Sequence, residues 1–233
     1  MRVMMVGVMI GACATTPRQD LVPPLPGPAS NARFTAEDMQ RETWVERFEN
    51  PKREVFSKRA AVVEAMQLAP GATVADIGAG TGAYLDVLVD AVGPDGVVVA
   101  TELSEGFRKG LSDRADAAGW SQVRVRPSRA DHCGLDDASV DSALLVDVYH
   151  HLDAPVPFVQ DLARAITPGG TLVVVDFDPG KPEATEWVKD HVYLTADEMV
   201  AQVVGTGLFT LLDRPDVGLV DNAMVRFTRV GSR

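Results

Sequence analysis

The chain has 233 residues, 46% of them hydrophobic and 24% charged, which is typical of a folded globular protein with room for one α/β domain. Its formal net charge is −11, and such an acidic surface argues against nonspecific binding to nucleic acid, which needs clustered lysines and arginines. The two cysteines, Cys13 and Cys133, are too few for a disulfide framework and lack zinc-site spacing, so we expect no metal. We interpret Cys133 as a small packing residue.

The N-terminal segment has the order of parts that is typical of a secretory signal. Arg2 supplies a positive charge, an apolar run extends from Val3 to Ile10, and small residues lead to Cys13. The apolar run is too short to span a bilayer, which takes about 20 residues. The ending IGAC resembles the lipobox of bacterial lipoproteins. That resemblance implies that residues 1–12 are removed and that Cys13 carries acyl chains that anchor the protein in a membrane.

The next segment, residues 13–34, contains five prolines between Pro17 and Pro28 and predicts a stiff, extended tether. A folded domain over residues 35–233 follows it. This order of anchor, tether and domain indicates an exported lipoprotein that faces the periplasm. The alternative is a wrongly assigned start codon or an N-terminal strand, and the protein is then cytoplasmic.

The folded part begins with helical sequence. Thr35 with Asp38 forms an approximate N-terminal capping pattern, and a second helix is predicted from about residue 53 to 68. Short apolar strands then alternate with helices, and Thr195 with Glu198 forms a capping box before the last helix. The predicted strands are residues 73–77, 97–100, 122–126, 141–147, 171–177, 209–215 and 223–230. This alternation predicts an α/β fold with a doubly wound, mostly parallel sheet.

The loop after the first strand is rich in glycine. In VADIGAGTG, Asp76 stands two residues before Gly78, and Gly80 and Gly82 follow. Ligands of open α/β sheets bind at the carboxyl ends of the strands, and glycines leave no side chain to hold a ligand away from the backbone. The following helix offers unpaired N–H groups to a pyrophosphate or a carboxylate. A phosphate-binding P-loop is excluded because no Gly-Lys-Ser/Thr follows.

The same loop also satisfies a dinucleotide-binding pattern through Gly78, Gly80 and Ala83. Glu102 lies at the end of the second predicted strand, about 20 residues further on, where that pattern places an acid. An NAD-dependent oxidoreductase therefore stays open on these residues alone.

The wider stretch is more specific. VADIGAGTG resembles the first motif of class I S-adenosylmethionine-dependent methyltransferases, and the resemblance continues in order through ATELSEGF, SRADHCGLDDASVD, DSALLVDVYHHLDAP and LARAITPGGTLVVVDF. It covers nearly all of residues 42–213. It implies a Rossmann-like methyltransferase fold of seven strands with a final antiparallel strand, and S-adenosylmethionine as the cofactor.

The resemblance also implies how the cofactor is held. The glycine loop would carry its methionyl end, and Asp76 would orient the loop amides or reach the ammonium group. Glu102 would accept hydrogen bonds from the ribose hydroxyls. Asp131 would accept one from the adenine amino group, and the His132 backbone would meet the ring. The predicted cofactor-binding residues are Asp76, Gly78, Ala79, Gly80, Gly82, Glu102, Asp131, His132 and Asp147.

Candidate catalytic residues follow the fourth predicted strand. The cofactor carries an activated methyl group, so a base is needed only if the acceptor is an unactivated hydroxyl or an ammonium. We interpret His150, with Tyr149 beside it, as catalytic, and a structural role for this pair stays open. Asp147 is expected to face the cofactor or the acceptor. We expect His151 to cap or pack under the next helix and His191 to lie exposed on a helix.

Three further stretches, WVERFENPKREVF, DVYHHL and WVKDHV, resemble a bacterial group of these methyltransferases that is often predicted to be exported. This chain departs from the group at Tyr193, because no arginine follows His191 and Val192. No firm reaction is known for the group, and if its arginine meets the substrate, the substrate does not carry over to this chain. The segment RFENPKRE is either a lid over the site or a solvated charged face.

The sequence thus predicts a methyltransferase that acts on a small-molecule acceptor and does not bind nucleic acid. One alternative is a cofactor-binding or surface protein that keeps the fold without catalysis. Export favours this alternative because the cofactor is made in the cytoplasm. The other alternative is the oxidoreductase. The predicted adenine-binding segment and the sequence Gly-Thr-Gly at the end of VADIGAGTG argue against it.

Overall fold

A computed structural model of the chain describes residues 31–36 and 39–231. The predicted signal, residues 13–30 of the predicted tether, and Asp38 of the predicted capping pattern lie outside the described residues.

The described residues form helices and strands that alternate after a helical N-terminal region. The helices are α1 Ala32–Thr35, α2 Arg41–Phe48, α3 Glu54–Ser57, α4 Arg59–Met66, α5 Leu85–Val92, α6 Glu105–Ala118, α7 Pro155–Ala165, α8 Glu186–His191 and α9 Ala196–Gly205, with a 3₁₀ turn at Tyr149–His151. The strands are β1 Thr73–Ile77, β2 Val97–Glu102, β3 Val123–Pro127, β4 Val140–Val146, β5 Ile166–Phe177, β6 Phe209–Asp213 and β7 Asn222–Arg229.

The seven strands lie in one sheet in the order β3-β2-β1-β4-β5-β7-β6. The pairs from β3 to β5 are parallel. The last strand of the chain, β7, is antiparallel to both β5 and β6, between which it is inserted. The predicted fold is confirmed, including the final antiparallel strand. Strand order reverses at β1, whose neighbours are β2 and β4, and the crevice at these strand ends is where such sheets bind ligands.

Two predictions for the helices need correction. Thr35 ends α1 instead of capping a helix, and its hydroxyl donates to the carbonyl of Ala32. The helix predicted over residues 53–68 is two helices, α3 and α4, because the backbone departs from helical geometry at Lys58 (φ −105°, ψ 10°). The capping box of Thr195 and Glu198 at the start of α9 is confirmed.

The core has two layers, one on each face of the sheet. Alternate residues of a strand point to opposite faces, so Val74 of β1 packs in the layer of α4 and α5, and its neighbour Ala75 packs in the layer of α7 and α9. Burial of a whole Val or Leu side chain contributes about 1.5 to 3 kcal/mol, so both layers hold the strand ends firmly. Cys133 is fully buried among packed side chains, as predicted. Across the part of the chain that the structure describes, every helix is too short or too polar to cross a membrane.

Candidate active site

The glycine loop leaves β1 in a left-handed conformation at three positions. The φ angles of Gly78, Gly80 and Gly82 are +67°, +53° and +86°. A Cβ atom on Gly78 would lie 2.8 Å from the Val148 side chain, and one on Gly82 would lie 2.9 Å from that of Leu111. Above Gly80 the nearest atom would be 3.8 Å away. Close packing therefore leaves little room for a side chain at two of these glycines, and Gly80 borders an open space beside Phe48.

That space is a cavity of about 610 Å³ at the carboxyl ends of β1, β2 and β4, a size in the range of small-molecule sites. The predicted cofactor-binding residues that line it are Asp76, Gly78, Ala79, Gly80, Glu102 and Asp147. Gly82 faces α6 instead, through its contact with Leu111.

Two acids lie beneath the loop. Glu102 accepts hydrogen bonds from the amides of Gly80 and Ser104, both at 2.8 Å, and so fixes the loop relative to β2. Asp76 is only 4% exposed, and its carboxylate has no hydrogen-bond partner among the described residues. Burial, and secondly the charge of Glu102, raise the pKa of Asp76 to about 7. A buried carboxylate without a donor that faces a cavity fits a ligand carrying an ammonium group.

The end of β4 presents a third acid. Asp147 has a φ of +52°, which is uncommon for a residue with a side chain. Arg53 donates to one of its carboxylate oxygens at 2.5 Å and Asn222 to the other at 2.6 Å. Burial and the neighbouring Asp176 nevertheless raise the pKa of Asp147 to about 6, against the influence of Arg53. Its two partners hold this residue in its unusual conformation.

His150 and Asp176 form a buried pair beside the cavity. The Nδ1 atom of His150 lies 2.6 Å from Oδ1 of Asp176, and Asp176 also accepts from the backbone amides of His150 and Phe177. Burial lowers the pKa of His150, but the charge and hydrogen bond of Asp176 outweigh it and the net shift is upward. Burial raises the pKa of Asp176, and its contacts with His150 bring it below its usual value.

The geometry leaves the other ring nitrogen of His150 available. His150 lines the cavity, and its Nε2 atom has no hydrogen-bond partner in the described part of the chain. Because Nδ1 is directed to the Asp176 carboxylate, we assign the proton to Nδ1 and an acceptor lone pair to Nε2. This is the arrangement of a general base held in position by a carboxylate.

Two further histidines, His151 and His191, line the cavity together with aromatic side chains. The ring of His191 stacks on Trp187 at 4.5 Å, and Trp187 meets Phe177 edge-on at 5.3 Å. The predictions for these histidines are corrected, because His191 and His151 both line the cavity. Burial, and then the charge of His150, lower the pKa of His151 to about 3, so its ring is neutral at physiological pH.

The helices α1 and α2 also border the cavity, beside His151. Phe34 packs against Trp44 at 4.8 Å and against the ring of His151 at 5.7 Å, and Phe48 packs against Phe107 at 6.4 Å. Neither helix has a fully buried residue, so both lie on the surface of the domain. Six residues of RFENPKRE line the cavity: Arg47, Phe48, Asn50, Lys52, Arg53 and Glu54. Of the two interpretations of this segment, the structure therefore favours the lid.

Tyr149 does not lie where a catalytic residue is needed. Its side chain is 1% exposed within the core, and its hydroxyl donates to Oε1 of Gln202 at 2.9 Å. The 3₁₀ turn after β4 sends successive side chains in different directions, so Tyr149 points into the protein and His150 toward the cavity. The catalytic interpretation of Tyr149 is corrected on this geometry.

The segment predicted to bind adenine reaches the cavity, but Asp131 and His132 face elsewhere. Asp131 is exposed and pairs with Arg129 at 3.0 Å, and the ring of His132 lies beside Asp161 at 3.7 Å. Hydrogen bonds between the backbones of Arg129 and His132 close a tight turn that directs Asp131 outward. The residues of this segment that line the cavity are Ser128, Arg129 and Ala130.

Three residues of the site were not identified from the sequence. Asp176 follows the apolar run of the fifth strand, and a strand-end acid was a signal that could have been used. Arg53 and Asn222 contact Asp147 from distant parts of the chain, and no local pattern marks either of them.

The sequence was compared with protein families and with known proteins. Residues 75–174, less than half of the chain, match the family described as "Methyltransferase domain". The ubiquinone/menaquinone biosynthesis C-methyltransferase UbiE of Ectopseudomonas mendocina is 29% identical over 126 residues, which cover 52% of this chain and 48% of the relative. The demethylmenaquinone methyltransferase of Bacillus cytotoxicus is 23% identical over 118 residues, which cover 51% and 50%. The chain thus spans about half the length of these two relatives.

Among solved structures, a SAM-dependent methyltransferase from Aquifex aeolicus superposes with a TM-score of 0.72 at 24% identity, over 81% of this chain and 98% of that one. Residues 75–174 are thus similar to a methyltransferase domain, and the chain has the same fold as the Aquifex aeolicus structure.

Proposed function

We propose that this protein transfers the methyl group of S-adenosylmethionine to a small-molecule acceptor, with His150 as the general base. The proposal is supported mainly by the residues that line one cavity. At one end lies Asp76, a buried carboxylate without a partner among the described residues, beneath a glycine loop. The pair of His150 and Asp176 borders the same cavity.

The residues beneath the loop suit the cofactor. Asp76 would bind its ammonium group, and the backbone at Gly80, where a side chain is absent, would allow its methionyl part to approach. Glu102 already accepts two amide hydrogen bonds, but each carboxylate oxygen has a second lone pair for a ribose hydroxyl. When bound, S-adenosylmethionine supplies a methyl group on a positively charged sulfur, which leaves as a neutral thioether when the acceptor bonds to the methyl carbon.

His150 would remove the proton of the acceptor. Its Nε2 lone pair would take the proton from an acceptor hydroxyl or ammonium, and Asp176 would stabilise the imidazolium that results. The aromatic side chains of α1 and α2 cover the site and would keep water from the reacting atoms. A positioned base of this kind contributes typically 10²- to 10⁴-fold to the rate.

Calorimetric titration of the full chain with S-adenosylmethionine and S-adenosylhomocysteine tests the proposal. We expect micromolar binding by the wild type, strong loss in Asp76→Asn, and no change in Asp90→Asn, an exposed acid of α5 outside the cavity. Folded wild type that binds neither compound would contradict methyl transfer. Binding of NADH in their place would favour an oxidoreductase, and cofactor binding without transfer to any acceptor would favour a non-catalytic protein.

We also propose that the domain is exported, as is often predicted for the bacterial group it resembles, and that it is anchored to a membrane through Cys13 of the lipobox-like IGAC. The support is the sequence of residues 1–13 and the prolines that follow. Metabolic labelling with a fatty-acid analogue should mark the wild-type chain in the membrane fraction and leave Cys13→Ser unlabelled. Unlabelled wild type in the soluble fraction would contradict the anchor.

A further inference from the structure

Both acidic and basic side chains line the cavity, and they differ in whether they are paired. Asp76 and Glu102 lie beneath the glycine loop, where the cofactor's cationic part would meet them. Arg53 is paired with Asp147. Arg33 and Arg47 also line the cavity, and neither forms an ion pair with any carboxylate in residues 31–36 and 39–231. In a chain with a net charge of −11, it is unusual for two arginines that line a cavity to have no acidic partner. Such a pair is suited to bind an anionic ligand.

Both arginines lie against aromatic side chains of α1 and α2. The guanidinium of Arg33 lies 4.7 Å from the ring centre of Phe34 and 5.6 Å from that of Trp44, and Arg47 lies 5.4 Å from Trp44. Such cation–π contacts hold a guanidinium while leaving its N–H groups free to donate. Burial and His150, followed by the charges of these two arginines, lower the pKa of His191, so both arginines act on the histidine side of the cavity.

The same side of the cavity is lined by flat side chains. Phe177 and Trp187 contribute from β5 and α8, and Phe34 and Trp44 contribute from α1 and α2. Trp187 is still 52% exposed although it stacks on His191. An aromatic ring placed here would cover apolar surface and make stacked or edge-on contacts with its neighbours.

We propose that the methyl acceptor is a hydroxylated aromatic carboxylate. Its ring packs against the aromatic side chains, its carboxylate accepts hydrogen bonds from Arg33 and Arg47, and its hydroxyl donates to Nε2 of His150. This inference rests on the proposed methyl transfer and names the acceptor class for it. Arginine is suited to the role because its planar fork of donors matches the geometry of a carboxylate.

A pair of probes that differ in charge tests the acceptor class. Calorimetry of the full chain, saturated with S-adenosylhomocysteine, would compare 3,4-dihydroxybenzoate with the neutral 3,4-dihydroxybenzamide. We expect the anion to bind about tenfold more tightly, a preference that corresponds to about 1.4 kcal/mol. In the double variant Arg33→Gln, Arg47→Gln the two probes should bind equally. Cyclohexanecarboxylate, which has the charge without the aromatic ring, should bind more weakly than the benzoate.

The control variant is Arg214→Gln, which removes one positive charge at an exposed pair with Asp197, outside the cavity. It should keep the wild-type preference for the anion, and Arg33→Lys, Arg47→Lys should keep part of it. Because α1 and α2 bury no residue fully, the glutamine variants should stay folded, and their binding of S-adenosylhomocysteine would verify this.

The outcomes separate the two proposals. Cofactor binding without preference for the anion, or a preference that survives in the double glutamine variant, would overturn the acceptor class and leave methyl transfer standing. Binding of the benzoate without any binding of the cofactor would overturn methyl transfer and leave an aromatic-acid site. With a confirmed preference, incubation with S-adenosylmethionine should yield the O-methylated benzoate.

Discussion

His150 and Asp176 lie 26 residues apart in the chain, yet their side chains meet at 2.6 Å. The contact follows from the sheet. His150 stands in the turn after β4, Asp176 stands near the end of β5, and the two strands are parallel neighbours whose ends reach the same edge. A buried histidine with a carboxylate on one nitrogen and a cavity beside it is poised to accept a proton.

Replacing Asp176 by Asn should lower the maximal rate of methyl transfer by about 10²- to 10⁴-fold, because the imidazole loses its orientation and the stabilisation of its charge. The pKa of His150 should also fall without the carboxylate, so the acid limb of the pH–rate profile should move to lower pH. Asp178→Asn, two residues further on and outside the cavity, is the matched control. An unchanged acid limb in Asp176→Asn would argue against His150 as the base.

The affinity for S-adenosylmethionine should depend on the ionisation of Asp76. Because the pKa of this carboxyl is raised to about 7, protonation below that pH should weaken binding by up to about tenfold per pH unit. Asp76→Asn should bind weakly at every pH and lose this dependence. Titrations at several pH values would check the slope, and a flat wild-type profile would contradict the assignment.

The same carboxyl should reduce the stability of the ligand-free protein. A pKa raised by folding means that the folded state holds the proton more tightly, so stability is lost as pH rises from about 4 to about 7. Above pH 7, Asp76→Asn should therefore be more stable than the wild type, on the order of 4 kcal/mol. Urea unfolding at about pH 8 measures this difference, and a less stable variant would contradict it.

Gly78→Ala should reduce cofactor affinity at least about tenfold and destabilise the fold. The added Cβ atom would lie 2.8 Å from Val148 in a loop that must hold its shape. Gly119→Ala is the matched control: its left-handed conformation (φ +69°, ψ 25°) imposes a backbone cost of about 1 kcal/mol, but nothing lies within 4 Å of the added atom. If both variants bind the cofactor alike, close packing at Gly78 is not what the site needs.

Tyr149→Phe should leave the catalytic rate unchanged. Its hydroxyl donates to Gln202 inside the protein, so its loss should cost only about 1 kcal/mol of stability. Thermal unfolding together with a rate assay would separate the two effects. A large fall in rate at normal stability would return Tyr149 to the list of catalytic residues.

The features that depend on a local sequence pattern, such as strand bounds and loop glycines, were predicted from the sequence. The bounds of β1 agree to the residue, and the glycines are where the loop needs them. Directions of single side chains were harder, because they depend on turns as short as the one between Arg129 and His132, which sends Asp131 outward. Contacts such as that of Arg53 with Asp147 join parts of the chain 94 residues apart, and no periodicity encodes them.

The place of β7 has a consequence for how the protein is made. Asn222 at its start binds Asp147, and Glu54 accepts the amides of Val220, Asp221 and Asn222, so one wall of the cavity is tied to the final strand. A growing chain that has reached only β6 already contains the glycine loop and the His150 pair, but the edge of β5 is still open. Until β7 emerges from the ribosome, that open edge can pair with a strand of another molecule, and the binding site is unfinished.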